Sequence, residues 1–319
     1  AVTKTLPVFI FGSIAAAFVG ILVGVIELVW LEKRFSSYSL GSKILWKLLI
    51  FMTFILVIIL ILYPIAVSIE LSVPMTDALV WQKLGTYLSS IGFANDISQL
   101  SFRLLLSVLY AGISENLGPG VLRNLLTGKY HQPKREVRIF MFLDMKSSTT
   151  IAEQLGHVKY FSLLQQYYDE MSDAIINNEG EVYQYIGDEV VVSWKLANGL
   201  KNGNCLRTFF TIREAMRAKQ SSFKDQFGVF PEFKAGMHYG EITVGEVGAL
   251  KREIVFTGDV LNTTARIQGL CKKHNADLII TSDLKNQLAT SDTYQFKDLG
   301  FAKLEGRLQE QQIIEVTKG

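Results

Sequence analysis

The chain has 319 residues, 49% of them hydrophobic, and 32 Lys+Arg stand against 30 Asp+Glu for a formal charge of +2. So even a balance favours no particular partner, and nucleic acid is not expected as one. The two cysteines, Cys205 and Cys271, are far apart and lack metal-type spacing, which excludes a disulfide framework and places the soluble part in a reducing compartment.

The length suits one membrane part plus one soluble domain, and a first residue of Ala rather than Met suggests a trimmed chain, a processed product or a fragment. The long apolar runs are concentrated in the first third. Residues 7–31 form one, broken only by Glu27, and residues 44–69 form another, broken only by Lys47. Each is long enough to cross a bilayer, and the first is too long for a signal peptide. The connection between them carries Lys33, Arg34, Lys43 and Lys47, which the positive-inside rule assigns to the cytoplasm. The next connection carries Glu70, Asp77 and Asp96 against Lys83 and is expected outside. Residues 100–117 supply the return crossing, although Arg103 and Glu115 make the segment polar enough that an interfacial helix is the alternative. Three spans place the first residue outside; a further span upstream would restore an even number. Residues 1–117 are thus read as a transmembrane region and 118–136 as a linker. Gly118-Pro119-Gly120 breaks any helix there, and Pro133 precedes the first strand.

From 137 to 319 the pattern is that of a soluble domain. A mostly apolar strand, Val137 to Leu143, ends on Asp144. Helix follows from Ser147 to Asn178, with Ser147 or Ser148 as cap and a break near Gly156. Strands at Glu181 to Ile186 and Val190 to Trp194 are joined by Gly187-Asp188. A helix at Asn204 to Gln220 precedes a strand pair, Glu232 to Tyr239 and Glu241 to Val247, around Gly240. Then come a strand at Glu253 to Phe256, a helix at Leu261 to Lys273, a strand at Leu278 to Ile280, a short helix at Ser282 to Leu288, and strands at Phe296 to Lys303 and Gln311 to Val316. The order is that of a split βαβ unit: an α+β, ferredoxin-like antiparallel sheet with helices on one face.

In such a sheet the ends of neighbouring central strands lie side by side, so Asp144 and Asp188 can meet. Two carboxylates brought together repel unless a cation lies between them, and Mg²⁺ takes one or two carboxylates plus waters and substrate phosphates. Two such ions about 4 Å apart can activate an attacking oxygen and hold a leaving phosphate. The segment Met145-Lys146-Ser147-Ser148-Thr149 runs into a helix start, whose free amides suit a phosphate. Taken singly, a helix-capping Asp and a turn Asp account for both residues. A third element reads Gly258-Asp259-Val260-Leu261-Asn262-Thr263-Thr264-Ala265-Arg266. Asn262 and Arg266 are four apart on a helix and share a face, where a fixed guanidinium suits charge growing on a phosphoryl group. His238 and Trp194 are expected to be structural, and alternation along the strand turns Glu189 away from Asp188.

FLDMKSST, YIGDEVVVSW and GDVLNTTAR, in this order and spacing, resemble the class III nucleotidyl cyclase catalytic domain over roughly Val137 to Val316. The membrane part followed by GPGVLRNLLTGKY resembles bacterial membrane-bound members. The resemblance implies the class III cyclase fold. It also implies two Mg²⁺ or Mn²⁺ ions held by Asp144, Asp188 and the Met145 carbonyl, Asn262 orienting the ribose, and Arg266 stabilising a pentavalent transition state. It further implies a homodimer, with metal ligands from one domain and Asn and Arg from the other. The base-reading positions of the family fall on Glu232 and Val255, where adenylyl cyclases usually have Lys and Asp or Thr. Lys234 and Thr257 share their faces and are the substitutes. Glu305 stands where a phosphate-binding Lys is common, with Lys303 and Arg307 nearby. The expected function is a membrane-anchored adenylyl cyclase acting on ATP at the inner face of the cell membrane. GTP is the alternative substrate, and an inactive signalling domain is the alternative of another class. Retention of Asp144, Asp188, Asn262 and Arg266 argues against the last.

Overall fold

The structure is a computed structural model and describes residues 6–31, 34–35, 38–117, 121–250, 252–289, 293–304 and 310–319. The chain divides into two units, Ala1–Leu122 and Arg123–Gly319.

In the first unit, α1 (Leu6–Val25) runs on through a π-helical turn (Ile26–Leu31), followed by α2 (Leu40–Leu71), α3 (Ala78–Leu88) and α4 (Ile91–Leu117). Among the described residues three helices are long and apolar enough to cross a membrane: Leu6–Leu31, Leu40–Leu71 and Ile91–Ser114, with mean hydropathies of 2.6, 3.0 and 1.3. The third starts nine residues before the expected 100–117, and α3 was not expected. Side chains set these starts. Asp77 Oδ1 accepts from the Leu79 amide at 2.8 Å, and Ser90 Oγ accepts from the Phe93 amide at 3.1 Å. Leu31, Phe51 and Val108 form a small buried cluster. Glu27 does not reach out to an interface as a lone carboxylate; it forms an ion pair with the nearly buried Lys47 of α2.

The second unit continues from α5 (Val121–Leu126) into β1 (Lys134–Met145), α6 (Ser148–Leu155), α7 (His157–Asn177), β2 (Glu181–Ile186), β3 (Glu189–Lys195), α8 (Leu196–Leu200), α9 (Asn204–Ala218) and α10 (Gln220–Phe227). It closes with β4 (Phe233–Val247), β5 (Glu253–Thr257), α11 (Asp259–His274), β6 (Leu278–Thr281), α12 (Ser282–Gln287), β7 (Tyr294–Ala302) and β8 (Gln311–Lys318). Among the described residues these strands form one eight-stranded sheet in the order β2-β3-β1-β4-β6-β8-β7, with β5 paired to β4.

Three expectations need correction. The pair expected around Gly240 is one strand of 15 residues. It runs antiparallel to β1 from Lys134↔Val244 to Met145↔Phe233 without interruption. Secondly, the sheet is mixed, because β4 and β6 are parallel. The helix α11 provides the crossover that a parallel pair requires. Thirdly, helices cover both faces. On one face α7 and α9 bury Leu163, Tyr167, Met171, Phe209 and Ile212 against Ile139, Met141, Val192 and Met237. On the other, α11 lies on β4 over glycine. A Cβ on Gly236 would stand 2.4 Å from the Gln268 nitrogen, and one on Gly240 would stand 2.6 Å from Val260 Cγ2. Gly240 therefore marks a close helix–strand approach and not a turn.

Arg138, 2% exposed, holds the middle of the sheet. It donates to Glu136 at 2.9 Å, to Glu181 of β2 at 2.7 Å and to Ser193 of β3 at 3.1 Å, and lies 4.8 Å above the Phe256 ring of β5. Glu181 and Glu136 raise its pKa against burial, so its charge is fully paired. As expected, Trp194 is core, donating from Nε1 to the Asn178 carbonyl at 3.0 Å, and His238 is buried with Nδ1 2.9 Å from Thr281 Oγ1.

The helix–strand approach makes a prediction. Gly236→Ala forces backbone apart and is expected to cost about 1–3 kcal/mol, roughly 3–10 °C in thermal midpoint. Gly245→Ala, whose Cβ would meet Pro133 at an ordinary 3.5 Å, is expected to be tolerated. Thermal melts of the two variants in detergent check the contrast.

Candidate active site

β1 ends at the edge of the core, and its last residues set the site. Asp144 pairs with Lys234 across the β1–β4 ladder, and Lys234 Nζ lies 3.3 Å from Asp144 Oδ2. The same oxygen accepts from Gln268 Nε2 at 2.9 Å. The turn Gly187-Asp188 joins β2 to β3, and Gly187 holds φ at 64°, a left-handed value suited to glycine. Tyr168 of α7 donates its hydroxyl to the Gly187 carbonyl and packs its ring at 4.4 Å on Tyr185, which fixes the turn.

The two carboxyl groups meet. Burial raises the Asp188 pKa, and its hydrogen bond with Asp144 raises it further, while Ser148 opposes the shift through a hydrogen bond of its own. Asp188 Oδ2 is buried without a hydrogen-bond partner. Two like-charged groups brought this close repel unless a positive charge or a proton lies between them.

Glu189 was missed from sequence. Alternation does turn it from Asp188, but toward the face of Asp144. Leu143 pairs with Val190, so Asp144 and Glu189 stand at the next step of the ladder. Burial first, then Asp144 and Asp188, push its pKa up to about 7, and Lys234 opposes them. The signal was its place directly after Asp188. Gln268 was also missed; nothing in its local sequence marks it, since only the α11 crossover brings it to Asp144.

Other expected residues fall as follows. Met145 is buried opposite Phe233. The amide of Lys146 donates to the Glu232 carbonyl at 2.8 Å. Its amine bonds Asp277 Oδ1 at 2.6 Å and lies 3.8 Å from Glu232. Ser147 is left-handed at φ 56° and caps α6 without a side-chain hydrogen bond, contrary to expectation. The first helical bond runs from the Ile151 amide to the Ser147 carbonyl, so the amides of Ser148 and Thr149 precede it at the helix N-terminus. Asn262 is exposed and Arg266 half-buried on α11, whose buried side is Val260, Thr263, Thr264, Ile267, Gln268 and Cys271.

The four base-reading candidates do not gather in one chain. Glu232 and Lys234 lie at the start of β4. Val255 and Thr257 pair with Gly245 and Thr243 near its end. Nine residues of strand, about 30 Å, separate Lys234 from Thr243. Lys234 is moreover engaged with Asp144. Lys303 is exposed beyond β7, and Arg307 and Glu305 lie outside the described residues.

Comparison with known proteins decides the family. Residues 129–315, more than half of the chain, match the model of the adenylate and guanylate cyclase catalytic domain. The chain belongs to this family. Its cyclase domain is similar to Adenylate cyclase 2 of Rhizobium meliloti (strain 1021), 33% identical over 207 residues that cover 65% of this chain and 57% of that protein. It is similar also to Adenylate cyclase 1 of the same organism, 29% identical over 56% of this chain and 27% of that protein. The chain thus spans little more than half, or less, of these relatives' lengths. Among solved structures, a bacterial light-regulated adenylyl cyclase matches with a TM-score of 0.59 at 20% identity, covering 72% of this chain and 66% of that one. The adenylyl cyclase CyaB from P. aeruginosa matches at 0.52 and 20%, covering 59% and 97%. Both establish the shared cyclase fold.

The raised Glu189 pKa gives a pH prediction for the metal-free protein. A carboxylate whose folded pKa exceeds its unfolded value of 4.5 binds more protons folded than unfolded between 4.5 and about 7. Stability is therefore lost as pH rises through that window. Glu189→Gln is expected to be more stable than the parent above pH 7, with the advantage shrinking to nothing toward pH 4.5. Thermal midpoints against pH in the presence of a chelator check this, and an advantage independent of pH contradicts it.

Proposed function

We propose that the chain is a membrane-anchored adenylyl cyclase that converts ATP to 3′,5′-cyclic AMP and pyrophosphate at sites shared by two copies of its cyclase domain. The observation that carries this reading is the contact between Asp144 and Asp188, with one Asp188 oxygen buried and unpaired. Two half-buried carboxylates held against their own repulsion fit a divalent cation. Among the described residues no group of three or more His, Cys, Asp or Glu is arranged to hold a metal. That suits Mg²⁺ or Mn²⁺, which need few carboxylates where substrate phosphates complete the shell. Asp144, Asp188 and the Met145 carbonyl would hold two such ions. Bound there, they would acidify the ribose 3′-OH and neutralise the triphosphate.

The chain's own residues supply the rest. The amides at the start of α6, at Ser148 and Thr149, suit phosphate oxygens. Lys234, 3.3 Å from Asp144, adds positive charge beside the carboxylates. Asn262 would orient the ribose, and Arg266 would bind the charge that grows on the α-phosphorus as the 3′-oxygen attacks and pyrophosphate leaves. On α11 these two lie off the side that packs on the sheet, which suits work on a second copy. Val182, Tyr185 and Ile186 of the outermost strand β2 are exposed, as an apolar edge awaiting a partner would be. ATP is favoured by the names of the relatives. GTP is the second reading, because the Glu232 carboxylate is largely exposed, 3.8 Å from the Lys146 amine, and is of the type that accepts from guanine N–H groups. Three helices apolar enough to cross a membrane, and the Lys and Arg between the first two, support an anchored protein with its cyclase domain in the cytoplasm.

Two outcomes are expected. Asp144→Asn and Asp188→Asn should each fold and lose at least about a hundredfold in turnover, the scale of removing a charge-stabilising group from a transition state. Normal rates in both would refute the metal reading. Asp144→Asn and Arg266→Ala chains, each inactive alone, should regain about a quarter of parental activity when co-expressed, since half of randomly paired dimers then carry one intact site. No recovery despite mixed dimers would place both residues in a site within one chain.

A further inference from the structure

The linker that leads into β1 carries a buried tyrosine. Tyr130 is 2% exposed, and its ring belongs to the cluster that includes Phe140 of β1, Val191 of β3 and Val260 of α11. Its carbonyl accepts from the Glu246 amide of β4 at 3.0 Å. Its hydroxyl accepts from Lys129 Nζ at 2.8 Å and donates to Glu136 Oε1 at 2.9 Å. The other oxygen of Glu136 accepts from Arg138 Nε at 2.9 Å. Arg138 divides its remaining contacts between two elements of the site. One terminal nitrogen donates to Glu181 of β2 at 2.7 Å and to Ser193 of β3 at 3.1 Å. These two stand opposite each other in the ladder, so the guanidinium closes the open end of the hairpin whose turn carries Asp188. The same guanidinium lies 4.8 Å over the Phe256 ring of β5. That ring stacks on Tyr183 of β2 at 4.5 Å, and the Phe256 amide donates to the Tyr183 hydroxyl at 3.2 Å. β5 leads directly into α11, the helix of Asn262 and Arg266.

We propose that Tyr130 and Glu136 are positioning residues through which the linker sets both halves of the cyclase site. With Tyr130 seated, Glu136 holds Arg138, and Arg138 holds the hairpin that ends in Asp188 and the ring that leads into α11. The inference rests on the reading of Asp188, Asn262 and Arg266 as members of one cyclase site. The charges balance only with the linker included. Glu136 and Glu181 face one guanidinium, and Lys129 supplies the second positive charge. Burial works against the Glu136 carboxylate, yet Arg138, Tyr130 and Lys129 together hold its pKa below the ordinary value. Apolar side chains of similar volume join strands without that desolvation. Strength alone therefore does not account for a chain of charged groups that runs from the linker to the hairpin. A displacement of the linker that unseats Tyr130 takes both the hydroxyl and the Lys129 charge from Glu136, and it loosens the hold of Arg138 on β2 and β5.

The test is amide hydrogen exchange of the full chain in detergent, read by mass spectrometry, with ATP turnover measured on the same preparations. Tyr130→Phe keeps the ring and removes the hydroxyl. The expected result is about fivefold faster exchange in β2, β3 and β5, no change in β6 to β8, and about fivefold lower kcat. A merely structural tyrosine would instead speed exchange across the whole sheet, β6 to β8 included, and that pattern overturns the proposal. Exchange in β2 and β3 within a factor of two of the parent also overturns it, as does faster exchange there with kcat unchanged. Glu136→Gln should give the same pattern, and adding Tyr130→Phe to it should change little, because both act through one guanidinium. Additive losses contradict the chain of contacts. Should Glu136→Gln fail to fold, Lys129→Gln takes its place in the cycle. A parent that forms no cyclic nucleotide overturns the cyclase reading, and the exchange pattern then decides the coupling by itself.

Discussion

β1 is hydrogen-bonded along both edges, to β3 on one side and β4 on the other, and it ends on Asp144. The double pairing leaves that carboxylate no freedom to retreat from its neighbour. The β2–β3 turn brings Asp188 to the same point, and Tyr168 and the glycine geometry of residue 187 keep it there. The sheet that carries both is held by the Arg138 ion pair to Glu181 of β2, its hydrogen bond to Ser193 of β3, and the apolar faces buried under α7 and α11. A pair of carboxylates held together with perturbed titration is the kind of place where folded proteins carry function. Lys234, 3.3 Å from Asp144, compensates in part.

Much of this was readable in the sequence because the information was local. The apolar strand ending on Asp144, the hairpin at Gly187-Asp188, the break at Gly156 and the α11 motif all announce themselves in windows of ten residues. What was not readable depends on contacts between distant segments. Gly240 looks like a turn residue until α11 is laid across β4, when it becomes the gap that Val260 enters. The parallel pairing of β6 follows from that same crossover. Gln268 reaches Asp144 from 124 positions away, and no spacing rule would find it.

The base-reading candidates lie apart for a different reason. Glu232, Lys234, Val255 and Thr257 were placed by counting along two motifs, and counting takes no account of where a strand carries its ends. β4 is long enough, at 15 residues, that its two ends serve different places. One end joins the carboxylate site; the other carries β5. Within one chain the candidates at the start of β4 and those on β5 therefore stand at opposite ends of the strand. Glu189 shows the complementary lesson. Strand alternation turns Glu189 from Asp188, and the face it reaches is the one that Asp144 occupies.

The central claim is that the carboxylate pair serves a cation-dependent cyclisation of a nucleoside triphosphate. Turnover by the purified full chain, offered ATP and GTP separately with Mg²⁺ and with Mn²⁺, tests it most directly. Cyclic AMP formed from ATP, abolished by a chelator and restored by the cation, is the predicted result. No cyclic nucleotide from either substrate, in protein shown to bind the cation, would contradict it.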